Sequence, residues 1–138
     1  MNAEGPAHRA TIRVRYAETD RMGHAYNSHY LTWFEIGRTE FMRASGLAYR
    51  EVEDRGFQLP LIKTEVTFRL PIRYDDELII ETRVGKTRSR SITFVYRILH
   101  EDRLVAEGWT THACTQAANG RTVQVPPWLG DKVRPKTA

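Results

Sequence analysis

The side chain best placed for chemistry in this sequence is the carboxylate of Asp20. It lies a few residues ahead of a predicted helix that either Asn27 or Ser28 can cap. The first N–H groups of a helix have no partner within the helix and, with the helix dipole, they favour negative charge. A carboxylate can act as nucleophile or general base, and such N–H groups can hold a developing oxyanion. Together they would suit acyl transfer, although an arbitrary Asp before a helix is more often a capping or turn residue.

The stretch around Asp20 reads YAETDRMGHAYNSHY and contains further informative residues. Gly23 predicts a backbone position with positive φ or a close approach to a ligand. His24 has a side chain that titrates near neutral pH. Either proton transfer or ring hydrogen bonds that orient the loop would fit His24, and we favour orientation. The side chain of Asn27 is expected to cap the helix and shape the turn.

An amphipathic helix is predicted from this cap to about Ala44, with Gly46 ending it. Its apolar stripe consists of Tyr30, Phe34, Gly37 and Phe41. Gly37 costs about 1 kcal/mol of helix propensity in the middle of this stripe, which indicates close approach to the surface beneath. For Tyr30 the same position predicts core packing first and pocket lining second.

Most of the remaining chain predicts antiparallel strands. Period-two alternation places them at 11–16, 62–70, 78–84, 92–98 and 104–115. Short links between them, including a hairpin turn at 100–103, favour antiparallel pairing. The fold class is therefore α+β, with one long helix packed on a sheet of about five strands. A short C-terminal helix is predicted to begin at Pro126–Trp128.

The stretch around Asp20 resembles a motif of hotdog-fold thioesterases. The motif has an aromatic residue, Thr-Asp, Gly-His, Asn and Tyr, which stand here as Tyr16, Thr19, Asp20, Gly23, His24, Asn27 and Tyr30. The resemblance extends over about residues 9–118 and is to the 4-hydroxybenzoyl-CoA thioesterase-like family, which includes the acyl-CoA thioesterase associated with the Tol-Pal system. It implies hydrolysis of acyl-CoA thioesters to carboxylic acid and coenzyme A, with no cofactor because coenzyme A is part of substrate and product.

The resemblance also implies roles for single residues. Asp20 would be nucleophile or general base, the backbone N–H of Asn27 would be the oxyanion donor, and His24 would be the third catalytic candidate. The candidate substrate-binding residues are Gly23, Tyr26, Tyr30, Phe57, Arg88, Ser89 and Arg90. Arg88 and Arg90 suit phosphate contacts, although a basic turn is commonly a solvated hairpin end. Ala25 stands where the family usually has a larger apolar residue, which bears on the shape of the acyl pocket.

Composition narrows the function classes. With 41% apolar and 28% charged residues, the chain is expected to be a single globular domain between mobile ends at 1–8 and 134–138. The resemblance implies that this domain, at 9–133, is a hotdog thioesterase domain. No apolar run would span a membrane and no secretory leader is visible, so a cytoplasmic protein without membrane association is expected.

Cys114 is the single cysteine, which excludes an internal disulfide and a thiolate zinc site, and no metal is expected.

The net charge of +4 and the pI near 9.5 indicate polyanionic partners, of which coenzyme A is one and nucleic acid another. No nucleic-acid-binding motif is present, so nucleic acid is not expected. Two functions besides thioester hydrolysis remain open: a hotdog hydratase or dehydratase, and a non-catalytic acyl-CoA-binding hotdog domain. The G-x-S-x-G elbow of many serine hydrolases is missing.

A homo-oligomer is predicted, either a dimer or, with preference, a homotetramer. A sheet covered on one face by a single helix leaves two edges and a second face uncovered. Apolar residues predicted on that second face are Ile79, Val95, Val105 and Trp109. They would form an exposed patch in a monomer, which usually marks an interface. The resemblance implies in addition that each active site lies between subunits.

Overall fold

The computed structural model describes residues 5–134 of the chain. In chain order its elements are β1 His8–Arg13, a 3-10 turn Tyr16–Glu18, α1 Ser28–Ala44, α2 Tyr49–Asp54, β2 Phe57–Gln58, β3 Leu61–Phe68, β4 Glu77–Thr87, β5 Ser91–His100, β6 Arg103–Ala113, β7 Thr115–Gln116 and α3 Pro127–Val133. The ends predicted to be mobile were 1–8 and 134–138. Of these, 1–4 and 135–138 lie outside the described residues, and His8 belongs to β1. None of the helices within 5–134 is long and apolar enough to cross a membrane.

The main sheet has five antiparallel strands in the order β1-β4-β5-β6-β3, and β2 pairs with β7 in a separate two-stranded sheet. Helix α1 lies on one face of the main sheet, so the predicted α+β class is confirmed. A Cβ added to Gly37 would lie 2.5 Å from Oγ1 of Thr82 and 2.8 Å from Cγ2 of Ile80. The close approach predicted at Gly37 is therefore present, and α1 can lie flat on β4 because this position has no side chain.

Aromatic rings fill the space between α1 and the sheet. Phe34 stacks on Tyr96 with 4.2 Å between ring centroids and 4° between ring planes, and Phe41 meets Phe94 edge-on at 6.0 Å. Phe34 and Tyr96 are both fully buried. Offset or edge-on aromatic pairs add about 1 kcal/mol to the free energy of burying their area. The apolar stripe predicted for α1 is thus the stripe that packs on the sheet.

The first strand lies three residues earlier than predicted, at 8–13 instead of 11–16. After Val14, whose N–H donates to the C=O of Asp76, the chain leaves the sheet and Tyr16 is 76% exposed. The backbone N–H of Arg15 donates to the carboxylate of Glu18 at 2.7 Å, which closes a turn. Alternation alone could not reveal this turn, because it depends on a side chain three residues away.

Two small features were not predicted: helix α2 and the β2–β7 pair. Helix α2 has six residues and buries only Val52 among them, so it shows no helical periodicity that a sequence window could detect. The β2–β7 pair joins Phe57 to Gln116 and Gln58 to Thr115. The helix predicted near Pro126 is confirmed as α3.

The apolar patch predicted on the outer face of the sheet is wrong in part. Val105 is 2% exposed and belongs to the core, while Ile79, Val95 and Trp109 are half-buried. Ion pairs cross this face, at 3.2 Å from Arg9 to Glu81, 3.5 Å from Arg97 to Glu81 and 3.0 Å from Arg69 to Glu107. The aliphatic stems of long basic side chains can cover apolar surface while their charged ends stay in water.

The exposed large apolar residues occur elsewhere. They are Tyr16, Met22, Tyr26, Leu61, Ile62, Phe68 and Tyr74. Three of them lie on the edge strand β3, and the others lie in or near the loop that carries Asp20. The surface most suited to bind a partner is therefore the edge strand β3 together with the loop that carries Asp20, rather than the outer face of the sheet.

Candidate active site

Asp20 lies in a tight turn whose two sides, at Thr19 and Ala25, form an antiparallel bridge. The N–H of Asp20 donates to the C=O of His24 at 2.8 Å, and the N–H of Gly23 donates to the C=O of Asp20 at 3.0 Å. Gly23 has a φ of +78°, and the nearest atom to a Cβ built there is 4.0 Å away. Of the two reasons considered for Gly23, the left-handed backbone is the one that applies within this chain.

One carboxylate oxygen of Asp20 is held by the turn. Oδ1 accepts hydrogen bonds from the N–H of Met22 at 2.9 Å and from the N–H of His24 at 3.3 Å. No donor among residues 5–134 is bonded to Oδ2. The turn thus fixes the orientation of the side chain and leaves one oxygen free to react.

The start of α1 offers free backbone donors. The N–H groups of Asn27 and Ser28 have no acceptor in the described part of the chain, whereas those of His29 and Tyr30 donate to the C=O of Tyr26 and Asn27. Asn27 makes no side-chain cap, so the capping predicted for it is wrong. Its φ of −53° and ψ of −37° are helical, unlike the extended backbone typical of a capping residue.

Tyr30 lies near the start of α1, and its phenol interacts electrostatically with the carboxylate of Asp20. It is 4% exposed and packs against Trp33 at 5.0 Å and Phe68 at 4.8 Å between ring centroids. Burial and, second to it, the negative charge of Asp20 raise the pKa of the Tyr30 phenol. Core packing, the first role considered for Tyr30, is therefore confirmed, and the ring also lies within the electric field of Asp20.

Glu18 is a residue of this site that the sequence analysis missed. It is 3% exposed, and its carboxylate accepts hydrogen bonds from the N–H of Arg15 at 2.7 Å and from Nε1 of Trp33 at 3.1 Å. Its C=O accepts the N–H of Tyr26 at 2.9 Å. Glu18 therefore joins the segment before Asp20 both to α1 and to the residue before Asn27. The one feature of the sequence that could have pointed to Glu18 is that it is a second carboxylate, two positions before Asp20.

The charge of Glu18 is stabilised where it lies. Burial alone would raise the pKa of this carboxyl, but hydrogen bonds from Arg15 and Trp33 and the positive charge of Arg15 outweigh burial and lower it. A carboxylate with a lowered pKa stabilises the fold above its unfolded pKa, and this contribution is lost as the pH falls through its folded pKa. Glu18 thus stabilises the site at neutral pH and loses this effect in acid.

We expect Glu18→Gln to lower the free energy of unfolding by about 2 kcal/mol at pH 7, because an amide N–H₂ replaces an acceptor in a buried position. Urea unfolding followed by circular dichroism measures this. Glu40→Gln, which removes a partly exposed carboxylate of α1 that pairs with Arg43, is the matched control and should change stability by less than about 0.5 kcal/mol. The Glu18→Gln effect should shrink below pH 4.5. An unchanged midpoint for Glu18→Gln at pH 7 would contradict this role.

The basic turn lies far from Asp20 of its own chain. Arg88, Ser89 and Arg90 are exposed between β4 and β5, with the C=O of Ser89 and Arg90 bound by the N–H groups of Val125 and Cys114. Asp20 follows the opposite end of the sheet, because Arg13 pairs with Glu77 at the start of β4. Ten residue steps along β4 at roughly 3.3 Å separate the two ends by about 33 Å.

The other predicted site residues have separate surroundings. Phe57 is half-buried and meets Trp128 of α3 edge-on at 5.7 Å. Tyr26 is 51% exposed beside the helix start. The ring of His24 makes no hydrogen bond with residues 5–134, and His24 holds the loop through its backbone instead. The loop orientation by ring hydrogen bonds expected of His24 is thus not present.

Comparison with known proteins shows to which family this chain belongs. The family model described as the Thioesterase-like superfamily matches residues 14–133. The chain belongs to this superfamily. The predicted resemblance to hotdog thioesterases is thereby confirmed.

Individual proteins and solved structures are similar to this chain over most of their length. The acyl-CoA thioester hydrolase YbgC of Escherichia coli O157:H7 is 30% identical over 104 residues, which are 75% of this chain and 78% of that protein. A solved structure of a hypothetical protein from Thermus thermophilus is 36% identical, with a TM-score of 0.87, and the match covers 91% and 95% of the two chains. The DHNA-CoA thioesterase from Staphylococcus aureus is 28% identical, with a TM-score of 0.86 over 91% and 85%.

Proposed function

We propose that this protein hydrolyses acyl-CoA thioesters to free carboxylic acids and coenzyme A. One observation carries the proposal: a carboxylate with one oxygen held and one free precedes a helix start that has two unpartnered N–H groups among residues 5–134. Relatives named as acyl-CoA thioester hydrolase and DHNA-CoA thioesterase support thioester substrates. Cleavage would use the protein's own groups and water, with coenzyme A as product rather than cofactor.

Asp20 would act through its free oxygen in one of two ways. As nucleophile, Oδ2 bonds to the thioester carbonyl carbon, the C–S bond breaks with its electron pair on sulfur, and water then cleaves the resulting anhydride. As general base, Oδ2 takes a proton from water while the water oxygen bonds to that carbon, and coenzyme A leaves as thiolate. In both routes the carbonyl oxygen becomes negative, and the N–H of Asn27 would stabilise it. The ring of His24 would assist proton transfer, the other role considered for it.

Thiol release from a panel of acyl-CoA substrates tests the activity and separates it from mere binding and from hydratase chemistry. The panel should contain aromatic, short-chain and medium-chain acyl groups. A non-catalytic acyl-CoA-binding domain would bind members of the panel without releasing thiol. A hydratase or dehydratase would change the acyl chain and leave the thioester intact. If no acyl-CoA of the panel releases thiol, the proposed activity is contradicted.

The site would be completed by a second subunit. In one chain the loop of Asp20 and the edge strand β3 expose the apolar side chains of Met22, Tyr26, Ile62 and Phe68. No strand within residues 5–134 pairs with the outer side of β3, so a second copy of this edge can pair with it. We infer a cytoplasmic homo-oligomer, a dimer at least and a tetramer as the natural extension, with each active site between subunits.

Light scattering at micromolar concentration should give the mass of two or four chains. Ile62→Glu places a charge on the exposed edge of β3, so it should increase the one-chain population and lower thioesterase activity in parallel. Glu65→Gln on the same exposed strand is the matched control and should keep the assembly. An active species with the mass of one chain would contradict the shared site.

The double variant Arg88→Gln, Arg90→Gln should raise the KM for acyl-CoA about tenfold and change kcat less, because each charged hydrogen bond to phosphate contributes roughly 1.5–3 kcal/mol before solvent weakens it. Hydrolysis of an acyl-pantetheine, which lacks the phosphates, should be nearly unaffected. Arg103→Gln, at the exposed first residue of β6, is the control. Equal loss on both substrates would contradict phosphate binding at this turn.

Because the turn and Asp20 lie at opposite ends of β4, which is about 33 Å long, the turn would serve the site of another subunit. Mixing tests this directly. An Asp20→Ala chain co-assembled with an Arg88→Gln, Arg90→Gln chain should form one site with both intact parts and one with neither. Activity at low acyl-CoA concentration should then exceed the sum of the two unmixed variants. Failure to complement within a verified mixed oligomer would place the phosphates elsewhere.

A further inference from the structure

A cavity of about 170 Å³ lies beside the second half of α1. Its walls include Arg38, Thr39, Tyr49, Leu59, Phe94 and His112. Cavities of about 150 Å³ lined by apolar groups accept a molecule of benzene, so the size fits one ring. From Ser28 to Arg38 the helix rises about 15 Å, which separates this cavity from the helix start and Asp20 of the same chain.

One polar wall of the cavity is internally satisfied. Nδ1 of His112 lies 2.9 Å from the C=O of Leu59, which can only accept, so Nδ1 carries the hydrogen. Nε2 lies 2.9 Å from Oγ1 of Thr110, which lies 2.6 Å from the hydroxyl of Tyr96. Burial and, second to it, the charge of Arg38 lower the pKa of His112 to about 4, so the ring is neutral at pH 7.

A neutral ring protonated at Nδ1 sets the direction of the whole chain of hydrogen bonds. Nε2 of His112 must accept the proton of the Thr110 hydroxyl, and the Tyr96 hydroxyl must therefore donate to Thr110. His112 and Thr110 use their donors within this wall and leave none for a bound molecule. The wall gives the cavity a fixed shape.

Two other groups at the cavity have donors to spare. No carboxylate oxygen among residues 5–134 lies within 4 Å of the Arg38 guanidinium, although Arg43 on the same helix pairs with Glu40. The Tyr49 hydroxyl accepts the N–H of Leu59 at 3.0 Å, and its own proton has no acceptor in the described part of the chain. Arg38 also contacts the hydroxyl of Tyr96, which can take one of its five N–H donors. A cation with no carboxylate partner and a free O–H at one cavity match the acceptors of a carboxylate.

We propose that this cavity is a binding site for a small organic carboxylate with a flat apolar body about one ring in size. Arg38 and Tyr49 would bind the carboxylate, and Leu59, Met42 and Phe94 would contact the ring. Glu35 also lines the cavity, but it is exposed, so water screens its repulsion of an anion. The acid product of thioester hydrolysis belongs to this chemical class, but binding at the cavity does not depend on the proposed reaction.

The probe is 4-fluorobenzoate, titrated into the full-length protein and observed by fluorine NMR. We expect saturable binding with a Kd on the order of 1 mM or tighter for a ligand of this size. The neutral analogue 4-fluorobenzyl alcohol should bind at least about tenfold more weakly, because it lacks the charge that Arg38 would pair with. Absent or equal binding of the two probes would overturn the proposal.

Variants at the cavity give effects of opposite sign. Arg38→Gln should weaken 4-fluorobenzoate binding at least about tenfold. Glu35→Gln should strengthen binding, but by a smaller factor, because the repelling charge that it removes is exposed and screened by water. Thr39→Phe should abolish binding by filling the cavity without changing its charges. Arg43→Gln, an exposed arginine of the same helix, should bind normally. Unchanged binding by Arg38→Gln in a folded protein would contradict the assignment.

Binding by Asp20→Ala separates this site from the proposed active site. If the probe occupies the cavity, this variant should bind it with unchanged Kd whether or not the protein is a thioesterase. Loss of binding in Asp20→Ala would place the probe at the active site and overturn the proposal. Conversely, an inactive wild-type protein that binds the probe would leave the cavity assignment intact and count only against thioester hydrolysis.

Discussion

Asp20→Asn should lower the turnover number for acyl-CoA hydrolysis at least about a hundredfold, as expected for loss of a nucleophile or general base. The amide can keep its oxygen at the position of Oδ1, where it accepts the N–H groups of Met22 and His24. Only the free oxygen is replaced. The variant therefore removes the reacting atom and preserves the turn that positions it.

Asp20→Ala should cause a similar loss of turnover but also removes the acceptor for those two N–H groups. Thiol-release kinetics give kcat and KM for both variants, and circular dichroism verifies the fold. If a well-folded Asp20→Asn or Asp20→Ala protein hydrolyses acyl-CoA at near wild-type rate, Asp20 is not the essential carboxylate. If Asp20→Ala lowers the turnover number strongly and Asp20→Asn does not, activity depends on the turn and not on the free oxygen of Asp20.

Asn27→Pro should lower kcat about a hundredfold, because it removes the proposed oxyanion donor. This factor corresponds to an increase of roughly 3 kcal/mol in the activation free energy. Proline suits this position: the φ of Asn27 is −53° and its N–H has no acceptor among residues 5–134, so no helical hydrogen bond is lost. KM should change less than kcat, since the oxyanion forms only during reaction. Steady-state kinetics on the preferred acyl-CoA measures both.

The comparison variant is Ser28→Pro, which removes the neighbouring free N–H at the first residue of α1. Because proline disfavours the helical backbone that Asn27 adopts just before it, circular dichroism must show that the helix start is kept. Ser28→Pro should retain most activity if Asn27 is the donor. The reverse pattern would assign the oxyanion to Ser28. Full turnover in both variants, with the helix intact by circular dichroism, would require a donor outside this helix start.

The alternation of the sequence was sufficient to predict the sheet and the long helix, because both are set by short-range periodicity. Helix α1 ends at Ala44 as predicted, and Gly37 makes the predicted close approach to the sheet. Strand β1 was misplaced because Glu18 binds the N–H of Arg15 and turns the chain out of the sheet. Helix α2 was missed because six residues with one buried side chain carry too little pattern.

The motif residues Asp20, Gly23 and Asn27 stand together in the chain, so the sequence by itself could point to a reactive carboxylate near a helix start and to the thioesterase family. Only the tertiary structure decided what each part does. It left one oxygen of Asp20 free, showed that Asn27 offers its N–H without a side-chain cap, and brought in the buried carboxylate of Glu18.

The tertiary structure also decided distances between residues far apart in sequence. It placed the Arg88–Arg90 turn at the far end of β4 from Asp20, and it brought Arg38, Tyr49 and His112 to one cavity. Neither arrangement follows from spacing, because strand register and helix packing set which distant side chains meet. Local patterns determine the elements of this protein, and the pairing of those elements determines which of its charges find partners and which remain free to bind.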